Sequence, residues 1–127
     1  MSQIRTGHFE ADGGAHNLIL GFVPSYLRIM NFMAADTEVA VIEWFKEMGD
    51  AVEIWWMNSD TGEQNFVPKG SGGYISEYDA NSVQTSEPVK VLGGQGVTID
   101  AAFMEDSDEI YYFAIEADRD VDHGDIA

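Results

Sequence analysis

Val39-Ala40-Val41-Ile42-Glu43-Trp44-Phe45 decides how the rest of the chain is read. Val39, Ile42, Phe45 and Met48 stand at helical spacing, with Thr37 before them and Gly49 after, as a capped helix would have. The same stretch is also rich in β-branched and aromatic residues, which fit a pleated, half-buried surface. For so short a run, periodicity alone leaves both readings open. The composition in strand formers favours a strand over 38–45, followed by a turn through Lys46-Glu47-Met48-Gly49.

Working outward, Ala51 to Met57 is a second strand, bounded by Gly49-Asp50 and Asn58-Ser59-Asp60. Its adjacent Trp55 and Trp56 must point to opposite faces, so one fills a core and the other covers a second surface. Upstream, Ile4–Glu10 alternates loosely and Asp12-Gly13-Gly14 makes a turn. Ala15–Gly21 places Leu18 and Leu20 on one face. Phe22-Val23-Pro24-Ser25 is a break, because proline cannot donate to a ladder, and Tyr26–Met33 resumes the extended pattern. Downstream, residues 58–92 read as a long polar loop region: 58–73 as a loop or hairpin tip, a short aromatic piece at 73–78, and a second polar stretch at 79–90. Val97-Thr98-Ile99 and Glu109–Ala117 close the chain, with Glu105–Glu109 as the turn between them. Ile110-Tyr111-Tyr112-Phe113-Ala114-Ile115 is apolar on both faces, as expected of a central strand covered on each side. The expected fold is all-β: one antiparallel, jelly-roll-like β-sandwich over 1–127, with an acidic, solvated tail at about 119–127.

The 127 residues include 15 aromatics (seven Phe, five Tyr, three Trp), enough for one core. Cysteine is absent, which removes disulfide scaffolds, thiolate zinc sites and cysteine nucleophiles together. Met1–His8 lacks the apolar centre of a secretory signal, and no apolar run approaches the ~20 residues needed to span a bilayer. The net charge is −17, and Arg5, Arg28, Lys46, Lys69, Lys90 and Arg119 are scattered. Phosphate backbones are bound by clustered Lys and Arg, so nucleic acid and anionic membrane are not expected partners. The excess acid reads first as solubility.

Catalytic patterns are sparse in the sequence. His8, His16 and His123 do not sit at zinc-ligand spacing. Gly70-Ser71-Gly72-Gly73 lacks the strand–turn–helix frame of a nucleophile elbow. Gly93-Gly94-Gln95-Gly96 has no following lysine to make a phosphate cradle. Among 23 acidic residues no glycosidase-like pair stands out. Asp118, Asp120 and Asp122 alternate ahead of Gly124 like part of a calcium loop. The glycine falls one position late, however, and no distal glutamate follows, so a solvated acidic edge is the first reading and calcium or magnesium on Asp118, Asp120 and Asp122 the second. No cofactor and no enzymatic activity are expected. The methionines at 30, 33, 48, 57 and 104 read as core filler, and Trp44, Trp55, Trp56, Tyr111 and Tyr112 as either core or contact surface.

Several segments together resemble small structural proteins of tailed bacteriophages and prophages. They are Gly7, Phe9 and the Asp12-Gly13-Gly14-Ala15 turn, then Gly21-Phe22-Val23-Pro24-Ser25-Tyr26-Leu27-Arg28-Ile29-Met30-Asn31. Glu43-Trp44-Phe45 through Met48 is similar to that family's next strand. Gly96-Val97-Thr98-Ile99-Asp100, the acidic turn 105–109 and Ile110–Ala114 are similar to its last two. Residues 58–92 carry no such similarity, and the acidic tail departs from the pattern. The resemblance implies a non-enzymatic β-sandwich on the outer capsid surface of a virion. Such a decoration or cement protein binds the major capsid protein and itself, commonly as a trimer. The alternative it implies is a tail- or fibre-associated module contacting a host glycan or another tail protein. Trp55, Trp56, Phe22 and Tyr26 are the expected interface residues.

Overall fold

The computed structural model describes residues 3–34, 38–58, 64–79 and 94–116. Among them are nine strands: β1 (Ile4–Glu10), β2 (His16–Ile19), β3 (Tyr26–Asn31), β4 (Val39–Phe45), β5 (Glu53–Asn58), β6 (Gln64–Lys69), β7 (Ile75–Asp79), β8 (Gln95–Ile99) and β9 (Glu109–Ile115). They form two antiparallel sheets packed face to face, a β-sandwich, with strand orders β1-β9-β3-β4-β5-β6 and β2-β8-β7. The N- and C-terminal strands interleave as β1-β9-β3 in one sheet and β2-β8 in the other, which is the jelly-roll-like part. The β3-β4-β5-β6 meander widens the larger sheet.

The deciding stretch is a strand, and its ambiguity has a structural cause. A bulge between Val39 and Val41 inserts Ala40 into the β4–β5 ladder. In a regular strand Val39 and Ile42 would face opposite ways. The extra residue turns both into the core, which produces the three-residue spacing that imitates a helix. Trp44 follows on the inner face, fully buried, and its indole N–H donates to the Gly49 carbonyl at 2.9 Å. Lys46–Met48 make one 3-10 turn, and Gly49 at φ 90° redirects the chain into β5.

The expected long loop over 58–92 is corrected: it contains two strands. Gln64–Lys69 pairs with β5, and Ile75–Asp79 pairs with β8. β6 is polar and carries Pro68, which an edge strand accommodates because one side of its backbone needs no partner. The tail at about 119–127, with Asp118, Asp120, Asp122 and His123, lies outside the described residues. Ile110–Ile115 does sit between two strands, β1 and β3. It is not covered on both faces, since Tyr111 on the outer side is 37% exposed. Met104 is core and Met57 packs against it, but Met30 and Met33 lie exposed, so the filler reading fails for those two.

The sheets are tied together by a buried carboxylate. Glu53, on the inner face of β5, is 1% exposed. Its Oε2 accepts the Trp55 indole N–H at 2.7 Å and the Tyr74 backbone N–H at 2.8 Å, while Oε1 accepts from Ile75 N–H at 2.9 Å. The last two donors open β7, so one side chain of the large sheet sets where the small sheet starts. Gly73 is required beside it, because a Cβ there would overlap the Glu53 carboxylate and the Ala51 carbonyl. Asn31 performs a similar task at the other end of the sandwich. Its amide donates to the Phe103 carbonyl at 3.0 Å and to Asp108 at 2.8 Å, fixing the β8–β9 crossover.

An amide in place of the Glu53 carboxylate presents N–H groups to N–H donors, and a buried unsatisfied polar group costs about 1–3 kcal/mol. Glu53→Gln should therefore lower unfolding free energy by about that much in urea, with an unchanged m-value. A loss below about 0.5 kcal/mol would show that this tie is dispensable.

Candidate functional site

Strand alternation gives each sheet an inner and an outer face, and the two outer faces differ in chemistry. On the small sheet, Asn17, Thr98 and Ser76 lie side by side, with Thr98 donating to Asn17 at 2.7 Å. That outer face is polar apart from Ile19 and Tyr78.

The outer face of the large sheet is apolar and aromatic. The ladder registers place its side chains in transverse rows. One row runs His8, Tyr111, Met30, Val41, Trp56 and Phe66 from edge to edge. The next runs Thr6, Phe113, Arg28, Glu43, Ile54 and Pro68. A third holds Ile4, Ile115, Tyr26 and Phe45. Met30 is 37% exposed, Phe45 41%, Phe66 54% and Ile4 61%, so this is open surface rather than a second core. Aromatic contacts stiffen it. His8 stacks on Tyr111 at 5.1 Å, Phe32 meets Tyr111 edge-on at 5.8 Å, Tyr26 leans on Phe45 at 5.0 Å, and Trp56 leans on Phe66 at 5.1 Å.

A polar knot lies at the middle of this face. Glu43 accepts the Tyr26 hydroxyl at 2.7 Å and the Trp56 indole N–H at 2.9 Å, and the Arg28 guanidinium stands 3.8 Å away. The Tyr26 hydroxyl bond, with the Trp56 bond and Arg28, holds the Glu43 carboxyl below its ordinary 4.5, against the opposing effect of burial. Burial, then the bond to Glu43, pushes the Tyr26 phenol up to about 12. The knot therefore fixes two aromatic rings, and it leaves Arg28 about half exposed.

Of the four residues expected at an interface, Tyr26 and Trp56 lie on this face. Trp55 and Phe22 do not: at 8% and 6% exposure they belong to the core. Trp55 stacks on Tyr74 at 4.8 Å under the Lys69 ammonium. Phe22 plugs the end of the sandwich because the β2–β3 connection crosses from one sheet to the other. Sequence reasoning missed Met30, Phe45, Phe66 and Tyr111 as one surface. The available signal was the alternation of β3, in which Tyr26, Arg28 and Met30 oppose Leu27, Ile29 and Asn31.

Two concavities accompany this face: an open one of about 600 Å³ lined by Ser25, Tyr26, Phe45, Lys46, Glu47 and Glu77, and a smaller one at the opposite end. The smaller, a cleft of about 220 Å³ between the sheets, is lined by Asn31, Glu105 and Asp108 with Trp55, Tyr74 and Phe103. Asn31 and Asp108 there are engaged in holding the β8–β9 crossover. Among the described residues no group of three or more His, Asp or Glu side chains is placed to hold a metal ion. His16 is stacked on Phe9 at 3.9 Å, and burial lowers its pKa against the pull of Asp12. No helix among the described residues is long and apolar enough to cross a membrane.

Because the carboxyl of Glu43 is lowered on folding, its stabilising contribution is complete above pH 4.5 and is lost as pH falls through the lower folded value. The stability gap between the wild type and Glu43→Gln should thus be full at pH 6 and close progressively below 4.5. Tyr26→Phe should shrink that dependence. Urea titrations across pH measure both, and parallel curves for all three proteins would contradict the assignment.

The chain matches no protein-family model, no curated protein and no solved structure with which it was compared.

Proposed function

We propose that this chain is a non-enzymatic structural protein of a virion, a decoration protein that binds the major capsid protein on the outer surface of the shell and stabilises it. The observation that carries the assembly role is the asymmetry between the two outer faces. A polar face beside a broad aromatic one is the signature of a surface that another polypeptide covers. The virion assignment rests on the resemblance in the β1–β3, β4 and β8–β9 segments. The mechanism needs no reaction: apolar area buried between neighbouring shell subunits raises the work required to separate them.

The charge distribution supports the same reading. Among described residues, Glu10, Asp12, Glu105, Asp106, Asp108 and Glu109 gather at one end of the sandwich, and Glu47, Asp50 and Glu77 lie towards the other. The outer face of the large sheet carries the Arg28–Glu43 pair and, at its rim, Glu10 and Glu109. Acidic ends keep the free chain dispersed without charging the surface that must be dehydrated on docking.

The pair of half-buried Trp56 and exposed Phe66 favours a second reading, a tail- or fibre-associated module stacking on a glycan. Sugar recognition also needs hydrogen-bonding groups around the stacking ring, and the Trp56 N–H is already given to Glu43. A protein partner fits the face better.

Co-sedimentation with purified capsid shells that lack the chain tests the proposal. Wild type should pellet with shells, whereas Tyr111→Ser and Phe66→Ser, both exposed positions, should each lose at least about tenfold in affinity, as contact aromatics do. Binding to a glycan array with indifference to shells would reverse the choice.

A further inference from the structure

We infer that the partner covering the outer face of the large sheet is a second copy of this chain, related by a twofold axis parallel to the strands and running between β3 and β4. The inference rests on reading this face as an assembly surface, and it names the occupant: the dimer rather than the single chain is then the unit that meets the shell, so Tyr111→Ser and Phe66→Ser weaken shell binding by breaking that unit. Its first basis is area. Six strands about 4.8 Å apart and about six residues long span roughly 600 Å² in projection. A stable interface buries about 800 Å² of accessible surface per partner, which a face studded with aromatic side chains approaches.

The second basis is self-complementarity. The midline between β3 and β4 divides the sheet three strands to three. A twofold axis along that line lays β3 on the partner's β4, β9 on its β5 and β1 on its β6. In the second row, Arg28 of one copy then stands over Glu43 of the other, and the reciprocal pair forms beside it. Arg28 lies 3.8 Å from its own Glu43, so its remaining guanidinium donors are available to a second carboxylate. In the first row Met30 falls over the position of Val41, itself 8% exposed, Tyr111 meets Trp56, and His8 meets Phe66. In the third, Tyr26 meets Phe45. Apolar groups thus fall mostly on apolar groups, and among the described residues the opposite charges near the centre, Arg28 and Glu43, fall on each other. The alternative axis across the strands would set Arg28 against Arg28. Face-to-face packing with nearly aligned strands is also how twisted sheets stack.

This axis keeps strand direction, so the acid-rich ends of the two copies lie side by side. Association should tighten with salt, because screening relieves that repulsion over about 10 Å at 0.1 M.

The test is sedimentation equilibrium of the full chain in solution, without shells, backed by circular dichroism to confirm folding. The expected result is a species of twice 14.0 kDa whose dissociation constant falls as NaCl is raised. Arg28→Glu and Glu43→Arg should each weaken self-association at least about tenfold, in the range of close charge pairs at interfaces. Mixed together, the two variants should restore a heterodimer, because both cross-pairs become opposite again. Should Glu43→Arg fail to fold, the absence of native cysteine permits a second measurement. In His8→Cys/Phe66→Cys the two thiols of one copy sit at opposite edges of the sheet, about 24 Å apart. A short bis-maleimide can then join only different copies, and the expected product is a covalent dimer. A chain that stays monomeric, a trimer, or a dimer indifferent to Arg28→Glu and uncrosslinked by the reagent would overturn the inference. A monomer that binds shells through Tyr111 and Phe66 would overturn it and leave the decoration reading standing. A dimer that ignores shells would do the reverse.

Discussion

A β-sheet has two faces, and among the described residues strands cover only one face of the larger sheet. Three strands pack against the inner side of six, and the described residues leave the outer side of the six open. Burial of the inner side is enforced by fully buried Trp44, Leu27, Ile29, Ile42 and Ile110 on the large sheet against Ile75, Val97 and Ile99 on the small one. Exposed aromatic area of the kind left outside is unfavourable in water, at about 25 cal/mol for each Å². That imbalance is what supports the proposal that the outer face is an assembly surface.

The inner face shows how polar groups are used in a sandwich with little room for error. Glu53 and Asn31 are buried, and each holds the start or end of a strand in the opposite sheet or the connection to it. Their hydrogen bonds specify register between layers, which apolar packing alone specifies weakly. Glu43 repeats the device on the outer face, where its two bonds orient Tyr26 and Trp56. A rigid aromatic surface loses less side-chain entropy on docking than a mobile one.

Much of this architecture was legible in the residues. The Trp55–Trp56 pair splits between core and outer face as strand alternation demands, and the Asp12-Gly13-Gly14 turn closes with a Gly14 N–H to Asp12 bond of 3.0 Å. The failures have physical reasons. β6 hides because edge strands tolerate polar residues and proline. The Ala40 bulge shifts β4 by one residue and mimics a helix. Phe22 was expected at an interface, yet the crossing between sheets carries it into the core. The apolar face itself was hidden because its residues come from six strands. Neighbours such as Tyr111, Met30 and Trp56 become one surface only when the strand order is known.

Hydroxyl-radical footprinting of the chain, free and then associated, reads the central claim most directly. The account predicts strong protection of Met30, Trp56, Phe66 and Tyr111 on association, with Ile19 and Tyr78 on the small sheet unchanged. Protection confined to Ile19 and Tyr78, or none at either face, would contradict it.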